Sequence, residues 1–253
     1  MRLTFLGTGT STGVPQIGCD CPTCTSSDKR DKRMRASAIL SLDDGRNLLL
    51  DCGPDFRSQI LAQGSPPLDA VLLTHSHYDH IGGIDDLRPY CNGKDFPVYC
   101  KADVAQDLRQ RNPWSFKADP YPGVPTFEIH EVDPDTPFYI GDTEIVPLLV
   151  WHARLPILGY RIGSFAYITD CKTMPESTLE KLKGVDTLVI NALRYEDHIS
   201  HMTVPEALQI VNQVAPRQTY FTHICHRMGR HADNSFPPGV QLAFDGLQIH
   251  IDN

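Results

Sequence analysis

The stretch Leu73-Thr74-His75-Ser76-His77-Tyr78-Asp79-His80 places four metal-ligating side chains within six residues. It follows Ala70-Val71-Leu72-Leu73, a short apolar run that reads as a buried strand. In layered α/β folds, chemistry gathers outside the carboxyl ends of strands. A helix cannot aim all four groups at one point. The spacing therefore predicts a strand-end loop that directs His75, His77, Asp79 and His80 at two neighbouring cations.

Two open metal sites need about seven ligands, and the rest of the chain offers three more at strand ends. His152 follows Ile145–Trp151, Asp170 follows Phe165–Thr169, and His223 follows Thr219–Thr222. A lone strand-end histidine is more often structural than a ligand, but three such positions beside the first cluster reverse that judgement. None of the seven is a cysteine, which suits zinc, manganese or iron.

The order of these residues resembles the signature of the metallo-β-lactamase superfamily of hydrolases. Leu49-Leu50-Asp51-Cys52-Gly53 is similar to that family's preceding motif. The resemblance implies an α+β fold, a four-layer αβ/βα sandwich forming a single domain over residues 1–253. It also implies that His75, His77 and His152 bind one catalytic metal, that Asp79, His80 and His223 bind the other, and that Asp170 bridges them. Asp51 would support the ligands from behind. Such a pair, zinc or manganese, suits phosphoester hydrolysis with a metal-activated hydroxide as nucleophile.

Cys19, Cys21 and Cys24 fall within six residues, and a closed tetrahedral zinc site needs a fourth ligand. His226 is the preferred candidate and Cys225 the competing one. A cysteine loop, with an extra histidine three residues after His223, is similar to the PhnP branch of the superfamily. That resemblance implies one structural zinc and a small cyclic phosphate substrate, either a ribose cyclic phosphate or a nucleoside 2′,3′-cyclic phosphate. It also makes His201 the general acid, with His198 as runner-up. Asp79 is counted with His201 as a catalytic residue.

The nearest hydrolytic rival is a tRNA 3′-processing endonuclease, which usually carries a basic, glycine-rich arm that is not evident here. A protein like pyrroloquinoline-quinone biosynthesis protein B shares the cysteine loop but departs from the full hydrolytic ligand set. A non-enzymatic zinc scaffold is the third alternative. Arg154, Arg161 and Arg194 are candidate phosphate contacts, although each reads more readily as a solvated charge. Cys52, Cys91, Cys100 and Cys171 read as small buried apolar residues.

The formal net charge of −8 argues mildly against a stable nucleic-acid partner held by phosphate contacts. Without a membrane-length apolar run or a signal-peptide pattern, the expectation is a cytoplasmic protein with no membrane partner. The irregular stretch 111–125 is long enough to cover a site or to form a homodimer contact. Strands are expected at 2–6, 35–42, 46–51, 70–74, 126–131, 143–150, 157–162, 164–169, 186–191, 217–222 and 247–251. Helices are expected at 54–63, 83–91, 101–110, 175–183 and 203–214, the last capped by Thr203.

Overall fold

The apolar runs become two seven-stranded sheets in the computed structural model, which describes residues 1–252. The first sheet contains β1 (Arg2–Gly7), β2 (Ser37–Ser41), β3 (Asn47–Leu50), β4 (Ala70–Leu72), β5 (Phe96–Cys100) and β6 (Phe127–Glu131). The second contains β7 (Phe138–Ile140), β8 (Thr143–His152), β9 (Leu155–Ile162), β10 (Phe165–Ile168), β11 (Thr187–Asn191), β12 (Gln218–Thr222) and β13 (Val240–Leu242). β14 (Gln248–His250) returns to pair with β1 and completes the first sheet.

Burial on both faces explains why these strands read as continuous apolar runs. Along β3, Leu48 and Leu50 point into the interface between the sheets, where they join Leu3, Phe5, Leu158, Tyr160 and Tyr167. Leu49, between them, faces outward with Val71 and Val98 against Phe56 and Ile60 of α1 (Phe56–Ala62). The second sheet repeats the arrangement. Leu188, Ile190 and Phe221 turn outward onto a helical layer.

Among the described residues five further helices follow α1, the first four being α2 (Tyr78–Ile81), α3 (Arg88–Cys91), α4 (Ala102–Arg111) and α5 (Glu176–Lys181). The last, α6 (Val204–Val214), packs Val204, Ala207 and Val211 on the second sheet. Its start is a capping box. Thr203 accepts from the Glu206 backbone, and the Glu206 carboxylate accepts from the Thr203 backbone. The result is the expected helix–sheet–sheet–helix sandwich in one domain. No helix of the described residues is long and apolar enough to cross a membrane.

Three strands, β5, β7 and β13, were not anticipated. Pro97 interrupts the pattern of β5, while β7 and β13 are three residues each, too short for a period to register. The histidine cluster also differs from a pure loop. His75 and His77 lie in a loop, but Asp79 and His80 ride on the single turn of α2. The stretch 111–125 begins with a 3-10 turn at Pro113–Phe116, and the Trp114 indole N–H donates to Asp85 at 3.2 Å.

Strands β3 to β6 run parallel, as do β10 to β13. Their carboxyl ends therefore collect along one edge. β8 is antiparallel to β9, which is antiparallel to β10, so His152 emerges at that edge too. The sheets are tied together at the same place. The Tyr160 hydroxyl donates to the Leu73 carbonyl at 2.7 Å, and the Leu158 N–H donates to the Thr74 carbonyl at 3.1 Å. Tyr160→Phe strands the buried Leu73 carbonyl and should cost about 1–3 kcal/mol in denaturant unfolding. An unchanged midpoint would show that this tie contributes nothing.

Candidate metal centre

Three strand ends leave the sheets in a conformation that L-residues seldom adopt. Asp51, Asp170 and His223 have φ of 59°, 55° and 54°. Each such residue costs roughly 1–2 kcal/mol and persists only where its surroundings hold it. Here the turn ends the alternation of the strand and leaves the side chain buried at the sheet edge.

Asp51 organises the first cluster from beneath. One carboxylate oxygen accepts the Thr74 backbone N–H at 2.8 Å. The other accepts the Thr74 hydroxyl at 3.0 Å and the His80 Nδ1–H at 2.7 Å. The His75 Nδ1–H in turn donates to the Thr74 hydroxyl oxygen at 2.9 Å. His152 directs its Nδ1–H at the carbonyls of Asp170 and Ser200, each 2.9 Å away. In each case the outer nitrogen is occupied and Nε2 is left for the centre, the usual preparation of a metal-ligating imidazole.

The free atoms converge. His80 Nε2 lies 3.3 Å from Asp79 and 3.1 Å from Asp170. His223 Nε2 lies 3.5 Å from Asp79 and 3.2 Å from Asp170. On the other side, His75 Nε2 is 2.9 Å from His77 Nδ1, and the His77 ring is 5.1 Å from that of His152. Asp79, His80 and His223 form one group able to hold an ion, with ligand atoms within 4.8 Å of one another. Asp170 belongs to two more such groups, one with His75 and His80, the other with His152 and His201. His201, expected as the general acid, lies against this cluster. Its Nδ1 is 3.5 Å from Asp170, and its ring packs on those of His152 and His223.

The electrostatics call for a cation. Burial opposes ionisation of Asp170 and Asp79, yet His223 and His80 hold both carboxyls below the usual range. Burial pushes Asp51 up against the pull of His80. It also pulls His75 and His77 down, reinforced by His80 and His152 respectively. His80 overcomes its burial because Asp170, Asp51 and Asp79 favour its charged form. Among the described residues, the charge partners of Asp79 and Asp170 are all histidines. His80 Nε2 and both ring nitrogens of His223 are buried without a hydrogen-bond partner. Imidazole nitrogens and carboxylate oxygens left open in this way fit divalent ions such as zinc or manganese.

The cysteine loop forms a separate group. Cys19 and Cys21 sulfurs lie 3.2 and 3.5 Å from His226 Nδ1, and all four ligand atoms of Cys19, Cys21, Cys24 and His226 lie within 4.8 Å. Cys225 does not join them. The Cys24 N–H, outweighing burial and aided by His226, draws the Cys21 thiol down to about 6, whereas burial pushes Cys24 up to about 11. A lowered Cys21 thiol within a group of three cysteines and one histidine suits a structural metal.

Sequence reasoning missed two buried charges behind these sites. Arg33 donates to the carbonyls of Cys225 and Gly229 at 3.2 and 3.1 Å and pairs with Asp31 at 3.3 Å, pinning the loop that carries His226. It stands in a run of basic residues that reads as solvated. Asp245 accepts from the Thr8 hydroxyl at 2.8 Å and the Met34 N–H at 2.7 Å. Of the three arginines considered, Arg161 clamps the Gly163 and Lys183 carbonyls, Arg194 holds those of Glu196 and Asp197, and Arg154 is exposed in the β8–β9 turn.

Residues 46–224 match the model of the β-lactamase superfamily domain. The chain is similar to a structure described as a new diphosphatase from the PhnP family, with 37% identity and a TM-score of 0.91, covering 99% of this chain and 98% of that one. Zinc-bound PqqB from Methylobacterium extorquens shares the fold at 21% identity and a TM-score of 0.78, covering 99% and 100% of the two chains. An octanoyltransferase of Porphyromonas gingivalis is 44% identical over 255 residues, covering 100% of this chain and 52% of that protein. The chain thus spans about half the length of that relative.

Replacing Cys19, Cys21 and Cys24 together by serine should remove about one tightly held zinc per chain while the dinuclear pair is at least partly retained. Metal analysis that finds no zinc lost would remove the structural site. Asp245 yields a pH test. Burial lifts its carboxyl to about 7, against opposing hydrogen bonds from Met34 and Thr8. The folded state therefore binds this proton more tightly than the unfolded chain. The stabilisation is full below about pH 4 and is lost as pH rises through 7. Relative to Asp245→Asn, the native protein should lose about 1.4 kcal/mol per pH unit across that window. A flat difference would contradict the assignment.

Proposed function

From a chain that belongs to the metallo-β-lactamase superfamily, we propose a dinuclear metal-dependent phosphodiesterase that hydrolyses a small cyclic phosphodiester. The substrate in this reading is a ribose cyclic phosphate or a nucleoside 2′,3′-cyclic phosphate. The coarser statement, a metal-dependent hydrolase, follows from the family and the buried ligand groups. Asp170, a buried carboxylate shared by two ligand groups and close to a third, supports the dinuclear part of this reading, and the likeness to a PhnP-family structure supports a phosphate-bearing substrate.

In this assignment His75, His77 and His152 would hold one ion and Asp79, His80 and His223 the other, with Asp170 available to both. When bound, the pair supplies Lewis acidity toward phosphoryl oxygens and acidifies water. The protein's own groups do the rest. Asp51 fixes the His80 tautomer and seats Thr74 beneath His75. His201 supplies the proton to the departing alkoxide. Burial and His223 draw His201 down to about 2. A phosphate brought against it favours the protonated form and readies it as an acid.

A second reading, hydrolysis of a diphosphate linkage, is favoured by the 37% identity to a PhnP-family diphosphatase. Its leaving phosphate needs less protonation than an alkoxide. The octanoyl transfer named for the longer relative is not carried over, because this chain spans about half of that protein.

Metal-loaded protein should turn over 2′,3′-cyclic nucleotides or ribose 1,2-cyclic phosphate faster than linear diesters, diphosphates or pre-tRNA. Activity on pre-tRNA alone would sink the proposal, and preference for diphosphates would select the second reading. His201→Ala should lower kcat on an alkoxide-leaving substrate by about 10²–10⁴-fold while the ions stay bound. Full activity in that variant would remove His201 as the acid.

A further inference from the structure

Of the three imidazoles assigned to the first ion, two are steadied from behind. The His75 Nδ1–H donates to the Thr74 hydroxyl, and the His152 Nδ1–H to the carbonyls of Asp170 and Ser200. His77 differs. Among the described residues its ring has one hydrogen-bond contact, with His75 itself at 2.9 Å, and the residue is exposed. A metal-ligating imidazole is ordinarily oriented by a partner on its other nitrogen. His77 lacks that partner, so the backbone that carries it must set its place.

That backbone is held from α4. Ser76, between His75 and His77, donates its hydroxyl to the Asp107 carboxylate. Asp107 is half-buried on a helix that is itself fixed, because Val104, Ala105 and Leu108 bury it against the first sheet. The same helix reaches toward the third ligand. At its N-cap, Lys101 donates to the Pro156 carbonyl at 2.8 Å. Pro156 pairs with Trp151 across β8 and β9, and Trp151 directly precedes His152. One rigid element thus touches both the loop of His75 and His77 and the strand pair that presents His152.

We propose that Asp107 is a positioning residue for the first ion: through Ser76 it fixes His77, relative to His75 and His152, where that ion needs it. The proposal rests on the assignment of His75, His77 and His152 to one ion. Hydrogen bonds to an ionised acceptor are roughly twice as strong as neutral ones. Loss of a group that orients a ligand typically lowers metal affinity about 10–100-fold.

The test titrates cobalt(II) into the full chain after its metals are removed, with no substrate present. Thiolate-to-cobalt absorption reports the cysteine loop, and the visible bands report the histidine centre. Asp107→Ala and Ser76→Ala should each weaken one centre ion about 10–100-fold, leaving the other ion and the cysteine loop unchanged. Asp107→Asn, whose amide oxygen still accepts from Ser76, should restore most of that affinity. In a His152→Ala background, where the first ion is already impaired, Asp107→Ala should not weaken the remaining ion. Unchanged binding in Asp107→Ala, or equal weakening of both ions, overturns the positioning role and leaves the two-ion reading standing. Native protein that binds fewer than two ions at the centre overturns both.

Discussion

A carboxylate buried where two sheets meet is the constraint on which this molecule turns. Asp170 is 2% exposed and lies among three imidazoles, His80, His201 and His223. An unpaired charge in such a place costs several kcal/mol. Asp79 and Asp51 add two more carboxylates within the same cluster. The imidazoles offset part of this charge, and His80 Nε2 and both nitrogens of His223 are buried without a hydrogen-bond partner. Divalent cations fit the groups left open there.

The fold supplies that constraint from two directions. Parallel strands bring their carboxyl ends to one edge, and the sandwich lays the edge of one sheet against the other. Left-handed turns at Asp51, Asp170 and His223 then keep these side chains at the edge. Tyr160 and Leu158 join the sheets next to His75. Because the ligands come from both sheets, the geometry of the centre depends on the packing of Leu48, Leu50, Tyr160 and Tyr167 between them.

Much of this was legible because the ligands are chemically unusual residues at the ends of chemically ordinary strands. A histidine after Thr219-Tyr220-Phe221-Thr222 carries a position as well as an identity. The apolar runs set the layers, and the stripe of α6 set its buried face. Other features left no such mark. Pro97 concealed β5, and the single turn of α2 is too short for a periodic signal. Arg33 and Asp245 look like surface charges in sequence; only tertiary packing buries them. The nearness of His201 to Asp170 is likewise a product of the fold, since thirty-one positions separate them.

The central claim is that Asp170 joins two divalent ions held by otherwise separate ligand sets. Anomalous diffraction from crystals of the metal-loaded protein tests it most directly. The account predicts two peaks about 3.5–4 Å apart, with the Asp170 carboxylate reaching both. One peak should lie on His75, His77 and His152, the other on Asp79, His80 and His223. A single peak, or two ions of which only one touches Asp170, would contradict it.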